Sequence, residues 1–344
     1  MWHHPARMQV ERIPEPIVVT GATGFIGRRL MHRLLEEGYR PHAFVLPGDP
    51  GVAAWGDRVE LRTGDVAHRA HVRQALEGAA TVFHLAAFVG DWGRPEDHLR
   101  VTVRGTDNVL SATARVGARA ILASSIVVYG DRIGRDVCEE EHPFGQPLGP
   151  YSRSKQEQER IARRLEETES LKVTTIRPAN VYGPGSIPWV DKVVEVLKSG
   201  QPSIVGDGRY AAGLTYVDNV VDVMLRAAER PATVGRIYNA SDDNGVTWLR
   251  YFTELAEMVG APAPKHLLRP LARVAAHGLD ATWSLLKRSD RPPITREAFN
   301  LVGSHHRILI AKARHELGYE PRVKYNEAMQ AIRTYLDERG VIAP

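Results

Sequence analysis

Tyr151 and Lys155 stand four residues apart in Tyr151-Ser152-Arg153-Ser154-Lys155. That spacing puts two side chains on one face of a helix, within reach of a shared ligand. A tyrosine that gives or takes a proton near neutral pH needs its pKa, ordinarily about 10, lowered by nearby positive charge. The Lys155 ammonium would supply such a charge. Ser124-Ser125, just past the apolar run Ala120 to Ala123, adds a hydroxyl able to donate to a carbonyl while Tyr151 transfers the proton. Each feature alone is also an ordinary one, a helix start or a polar turn closing a strand. All three in one chain are a proton-transfer set.

A second stretch suggests what that set would work beside. Ile17 to Val19 is an apolar strand, Gly21, Gly24 and Gly27 follow, and Arg28 to Glu37 repeats at helical period with Leu30, Leu34 and Leu35 on one face. Strand, glycine turn and helix form the context of a dinucleotide site. Glycine lets the backbone turn and approach a pyrophosphate, and the helix N-terminus offers free N–H groups and a positive dipole end. The spacing is G-x-x-G-x-x-G rather than G-x-G-x-x-G. An oxidised nicotinamide ring would bring further positive charge to Tyr151.

The elements that must position these residues alternate. Strands are expected at Pro41 to Leu46, Val59 to Arg62, Thr81 to Leu85, Ala120 to Ala123 and Lys172 to Ile176. Helices are expected near His71 to Glu77, Asp97 to Ala114 and Tyr151 to Glu167. This rhythm predicts an α/β fold, a Rossmann-type doubly wound parallel sheet whose ligands lie beyond the carboxyl ends of its strands. Past Pro184 the rhythm loosens. Tyr216-Val217-Asp218-Asn219 opens a helix, Arg236 to Asn239 is a short strand, and from Thr247 the chain is mostly helical with proline breaks. The second half is expected to be a smaller, mostly helical substrate lobe.

Composition narrows the class. The chain has 344 residues, 43% apolar and 25% charged, with a net charge of +4. Its arginines are scattered rather than clustered, which argues against nucleic acid as a partner. The single cysteine, Cys138, excludes an internal disulfide and is expected to be a structural thiol in a reducing, cytoplasmic setting. No run of eighteen apolar residues exists, so no spanning helix is expected. Met1 to Glu15 lacks the apolar core of a signal peptide and reads as a flexible extension. His3-His4 is too short a ligand set for a metal, and none is expected.

Further segments join these in order: Gly64-Asp65-Val66, His84-Leu85-Ala86-Ala87, Gly105-Thr106, Val128-Tyr129-Gly130, Arg177 to Gly185, Tyr216 to Asn219, and Ala313 to Pro321. With them the chain, from about Pro16 to Leu336, resembles the extended short-chain dehydrogenase/reductase superfamily, in its 3β-hydroxysteroid dehydrogenase and nucleotide-sugar epimerase/dehydratase branch. The resemblance implies an NAD(P)-binding Rossmann domain over 16–183 and a substrate lobe over 184–344, with segments around 210–240 returning to the first domain. It implies Ser125, Tyr151 and Lys155 as the catalytic triad; Ser125 is preferred to Ser124 because it stands three before Val128. It places Gly21, Thr23, Gly24, Phe25, Ile26 and Gly27 at the cofactor. Asp65 and Val66 would hold the adenine, and Leu85, Ala86 and Ala87 would line the cofactor. Pro178 would pack near the nicotinamide, and Tyr151 and Lys155 would touch the cofactor as well. Asn180 would face the substrate. Asp218 is expected to be an N-cap, and His305 and His306 surface or core polar residues.

Three departures bear on substrate and cofactor. Strand two ends Phe44-Val45-Leu46, with neither the acid that holds the ribose of NAD nor the arginine that favours NADP. NAD is favoured because Leu46 stands where NADP-preferring relatives often carry arginine, with Arg28, Arg29 and Arg40 as counter-indications. Thr102 replaces the usual asparagine before Gly105-Thr106, so a local hydrogen bond should change. Ala212 replaces the arginine that clamps a sugar diphosphate, with Arg209 nearby as a substitute.

The loop Phe88 to Gly93 resembles that of steroid-dehydrogenase-like members and puts Trp92 near the cleft. For Leu267 to Leu286, a helix packed on the lobe core is the leading expectation, with a lid or a membrane-surface segment as alternatives. The small-molecule substrate is therefore expected to be bulky and partly apolar, a secondary alcohol or ketone. A nucleotide-sugar epimerase with tightly held NAD and a non-catalytic NAD(P)-sensing protein are the competing readings. A homodimer is expected through the helices near Asp97 to Ala114 and Tyr151 to Glu167, with Val103, Val109, Ile161 and Leu165 either at that interface or internal.

Overall fold

The strand that precedes the glycines, β1 (Ile17–Thr20), is buried along its whole length at the centre of a seven-stranded sheet. With β2 (His42–Val45), β3 (Glu60–Thr63), β4 (Thr81–His84), β5 (Arg119–Ala123), β6 (Lys172–Pro178) and β10 (Ile237–Ala240) it forms the order β10-β6-β5-β4-β1-β2-β3, parallel throughout. The computed structural model describes residues 10–286, 288 and 290–342. Parallel strands covered on both faces need apolar residues at every position, and β1, β4 and β5 are buried throughout.

The pleat divides those residues between two layers. Val19, Phe83, Ile121 and Ile176 point to the face covered by the helices Phe25–Glu36 and Val217–Ala228, through Leu30, Leu34, Val220 and Met224. Val18 and Val82 point to the opposite face, covered by Gly105–Arg115. Ala120, Leu122 and Val173 meet Leu110 there, with Ile161 and Leu165 from Pro150–Glu169. A separate core gathers Tyr182, Trp248, Tyr251, Leu255 and Ile332 in the C-terminal half. Two short parallel pairs sit beside it, β7 (Asn180–Tyr182) with β9 (Leu214–Tyr216), and β8 (Pro202–Val205) with β11 (Lys265–Leu267).

Several sequence expectations need correcting. Residues 10–15 are not a loose tail: Ile13 is buried, its N–H donates to the Tyr39 hydroxyl at 3.1 Å, and the Glu11 N–H donates to the Glu229 carbonyl at 2.8 Å. The first nine residues, His3-His4 included, lie outside the described residues. The helix expected over Asp97 to Ala114 is interrupted by a wider-wound turn over His98–Arg104. Val109, Ile161 and Leu165 are buried in the monomer, so they offer no outer face for pairing. Asp218 is not an N-cap; it is the second residue of its helix, after the capping Tyr216, and forms a two-pronged pair with Arg29 of Phe25–Glu36, at 2.6 and 2.7 Å.

The stretch Leu267 to Leu286 departs most. Its helix, Arg269–Leu285, packs on the lobe through Ala272, Ala276 and Asp280, while its larger leucines point away from the core. Alanines at spacing four make the packed face, and the bulkier residues fall on the other side. Among the described residues no helix is long and apolar enough to cross a membrane. Cys138 is buried, and burial pushes its thiol up to about 12, which suits an inert structural role.

Candidate active site

The glycine turn closes against the next strand end. Gly21 has φ +67, and a Cβ there would come within 2.7 Å of the Ala86 backbone nitrogen. At Gly27 a Cβ would meet the Gly21 carbonyl oxygen at 2.1 Å, so only glycine lets the helix start this close to the turn. Gly24 caps Phe25–Glu36 without a side-chain partner, which leaves the first-turn N–H groups pointing past β1. With no acid in that first turn, the positive dipole end is unopposed. These features form a cradle of the shape and charge that a dinucleotide pyrophosphate requires.

Around the cradle lie the other residues named from the sequence. Leu85, Ala86 and Ala87 follow β4 directly and are half-buried, and Pro178 is buried at the end of β6. Asp65 is committed to its own loop. It accepts from the Ala67 N–H and from Arg100, both at 2.8 Å; burial pushes it up, but these two partners outweigh that and leave its pKa below the ordinary carboxylate value. Val66 is buried under Gly105, and its carbonyl accepts from the Asn108 amide. Thr102 accepts from the Phe88 N–H at 3.0 Å.

Sequence reasoning found no acid after strand two, yet the fold supplies one. Asp49 lies four residues beyond β2, accepts from the Thr23 hydroxyl at 2.6 Å and from the Gly51 N–H at 2.8 Å, and so stands over the glycine turn. Its signal in the sequence was the turn Pro47-Gly48, which folds the chain back toward the cradle. Among the counter-indications, Arg29 is spent on Asp218, whereas Arg28 and Arg40 are exposed.

The proton-transfer set is brought together. Ser125 caps the turn after β5, its hydroxyl accepting from the Val127 N–H at 3.3 Å, and it faces Tyr151 closely enough to favour the ionised form of that phenol. Ser124 is otherwise engaged: it donates to Glu159, whose carboxylate is clamped by the buried Arg177 at 2.7 and 2.9 Å. That difference gives a physical ground for preferring Ser125. Lys155 lies under the Tyr151 ring, with Nζ 5.9 Å from its centre. It donates to the Ala123 carbonyl at 2.8 Å and to Gln158 at 2.9 Å. Gln158 donates to Thr106, Thr106 meets His84, and His84 meets Thr20 at 2.7 Å. A chain of buried side chains therefore ties Lys155 to the strand that begins the glycine turn. Burial pushes Lys155 down to about 7, with Glu159 pulling the other way, and holds His84 near 3, neutral. Tyr151 is pushed well above the ordinary tyrosine value by burial and by Glu297, against the influence of the nearby Ser125 hydroxyl.

Glu297 was not found from the sequence. It comes from the short helix Arg296–Val302 of the C-terminal half and lies against the start of Pro150–Glu169, the helix that carries Tyr151 and Lys155. Burial and the neighbouring Asp91 raise it to about 7, against its bonds from Ser152, and its Oε1 is buried without a partner. Phe88 packs edge-on against His98 at 4.8 Å, and His98 lies 6.4 Å from the Tyr151 ring, so Phe88 and His98 are the aromatics layered toward the site. Trp92 instead reaches outward, its indole N–H donating to the Arg288 carbonyl at 3.3 Å. The Asn180 amide donates to the Ala212 carbonyl at 2.7 Å, and Ala212 is buried. His305 is exposed and His306 is buried, its Nε2–H donating to the Leu301 carbonyl at 2.7 Å.

A sequence model of the NAD dependent epimerase/dehydratase family matches residues 17–241. The chain belongs to that family. This member of the NAD-dependent epimerase/dehydratase family is 28% identical to the 2-alkyl-3-oxoalkanoate reductase of Stenotrophomonas maltophilia (strain K279a), over 92% of this chain and 98% of that protein. It is also 28% identical to the human sterol-4-alpha-carboxylate 3-dehydrogenase, decarboxylating, over 91% of this chain and 86% of that one. Among solved structures, UDP-glucuronic acid 4-epimerase from Bacillus cereus, in complex with UDP-glucuronic acid and NAD, has the same fold. Its TM-score is 0.74 at 21% identity, over 94% of this chain and 99% of that one. The seven-stranded parallel sheet is thus the family's α/β fold, and the cradle at Gly21 to Gly27 lies within the matched span.

Proposed function

We propose that this protein is an NAD(P)-dependent oxidoreductase that interconverts a secondary alcohol and a ketone on a bulky, partly apolar substrate. The observation that carries the reading is the meeting of Tyr151 with Ser125 and Lys155 beside the glycine cradle. The names of the two sequence relatives, a ketoreductase of alkyl-oxo acids and a sterol dehydrogenase, support it. The buried Ala212, whose carbonyl holds Asn180, supports it against a sugar diphosphate, since no cation stands at that position.

The dinucleotide would be held by the glycine cradle and the free N–H groups that open Phe25–Glu36, with Ala86, Ala87 and Pro178 along its length. When bound, the nicotinamide supplies or accepts the hydride. The protein's share is proton transfer and orientation. In reduction the Tyr151 hydroxyl gives its proton to the ketone oxygen, while Ser125 donates a hydrogen bond to that oxygen and fixes its place. In oxidation the proton runs back from the alcohol to the Tyr151 phenolate. In its protonated form Lys155, held by Ala123 and Gln158, would put positive charge under the ring and favour that phenolate. We further assign a preference for NAD to Asp49, whose carboxylate over Thr23 would repel the additional phosphate of NADP.

Tyr151→Phe is expected to lower kcat with a ketone substrate by about 10²–10⁴-fold while the dissociation constant for NAD stays near that of the wild type. Turnover and fluorescence titration of the cofactor would be measured on the same preparations. Full turnover in the variant would overturn the mechanism.

A further inference from the structure

The helix Arg269–Leu285 has two unlike faces. Ala272, Ala276 and Asp280, spaced by four, face the lobe, and Asp280 is paired there with Arg296 at 2.7 Å. On the far side Leu271, Val274, Gly278, Ala281 and Leu285 follow one another at intervals of three and four. That is the spacing of a single outward stripe. Leu271 is 58% exposed, Val274 72% and Leu285 82%, and the flanking Leu268 and Leu286 are 68% and 61% exposed. Surface leucines scattered singly need no explanation, but a continuous stripe on one helix does.

The charges beside the stripe are mainly of one sign. Lys265, Arg269 and Arg273 are exposed and carry no acidic partner among the described residues, and Arg288 is paired with Asp290. The one acid within the helix, Asp280, is turned inward and neutralised. A second copy of this chain would bring the same positive edge against its own, a repulsive arrangement. An apolar stripe edged by arginine and lysine matches instead the acyl boundary and headgroups of an anionic bilayer.

We propose that Arg269–Leu285 lies flat on anionic membrane surfaces, with its stripe in the acyl boundary and Arg273 and Lys265 at the headgroups. The segment that follows this helix is tied to the loop after β4, because the Arg288 carbonyl receives the Trp92 indole N–H and the neighbouring Asp91 is clamped by Arg291 at 2.6 and 2.7 Å. Docking would therefore hold that loop near the lipid, where a poorly soluble substrate would be stored. The route of entry rests on the oxidoreductase reading; the docking itself does not.

The test is flotation of the full-length protein with vesicles of phosphatidylcholine alone or with phosphatidylglycerol added, which needs no turnover. The wild type is expected to float with the anionic vesicles and to be released by salt. Val274→Asp with Leu285→Asp should cut the bound fraction at least about tenfold, and Arg273→Glu should weaken it on anionic vesicles. Circular dichroism would verify that the variants are folded. Equal binding by wild type and double variant, or no binding to either vesicle, would overturn the proposal. So would a dimer in sedimentation that Val274→Asp with Leu285→Asp dissociates, since the stripe would then be an interface between copies.

Discussion

Glu297 holds the residue that follows Tyr151: its Oε2 accepts from the Ser152 N–H at 3.3 Å and from the Ser152 hydroxyl at 3.0 Å. A side chain from the C-terminal half thereby seals the start of the helix that carries Tyr151 and sets a titratable group beside that candidate acid. Asp91 and Asp280 raise Glu297 in turn, and Ser125 pulls Tyr151 the other way.

Glu297→Gln should therefore shift the pH dependence of both directions. Ionised Glu297 raises Tyr151, so removing that charge lowers the pH at which Tyr151 loses its proton. Oxidation requires the phenolate, and its rising limb should move to lower pH by about one unit. Reduction requires the protonated hydroxyl, and its falling limb should move the same way. Profiles of kcat/KM in both directions would check this; a limb that stays in place would remove Glu297 from the electrostatics of the site.

The two adjacent serines should separate cleanly. Ser125→Ala is expected to lower kcat by about 10²–10³-fold, as for loss of a donor to the reacting oxygen. Ser124→Ala should leave turnover near wild type and cost about 1 kcal/mol of stability, because Glu159 keeps its clamp from Arg177. Steady-state kinetics and urea unfolding on both variants would distinguish them.

Asp49→Ser should relax cofactor choice. Without the carboxylate over Thr23, the ratio of kcat/KM with NADP to that with NAD is expected to rise at least about tenfold, a change of about 1.4 kcal/mol. An unchanged ratio would place the discrimination elsewhere.

Asp218→Asn should act on stability and not on chemistry. The pair with Arg29 joins the glycine-turn helix to Val217–Ala228 at a partly exposed site. Its loss is expected to cost about 1 kcal/mol in urea unfolding, with kcat at saturating substrate unchanged. A collapse of kcat would instead place Asp218 in the chemistry.

What the sequence made legible were features carried by local spacing. The glycine turn, the Tyr151–Lys155 interval and the alternation of strands and helices each lie within a few turns of chain. Glu297 and Asp218 escaped because their partners are 145 and 189 residues away, and no local pattern encodes such a meeting. Asp49 escaped because it follows a turn whose direction depends on the tertiary fold. The helix at 269–285 packs on the lobe as expected, but by a face the sequence did not single out. Periodicity shows that a helix has an apolar face, but here Ala272 and Ala276 make the packed face and the leucines make the outer one. Residue size, rather than period, separated them.

The position of β10 has one last consequence. The chain leaves the sheet after β6 and returns to lay β10 alongside it, and the family match ends at residue 241, just past that strand. Arg119, at the start of β5, depends on the same return: its guanidinium donates to the carbonyls of Ala227, Ala228 and Arg230. A fragment cut at residue 183 would expose β6 as a raw edge and leave the buried Arg119 cation with Thr174 but without its carbonyl acceptors. The nucleotide-binding half therefore cannot be excised as an autonomous module, and this enzyme fold must be inherited, expressed and engineered as one piece.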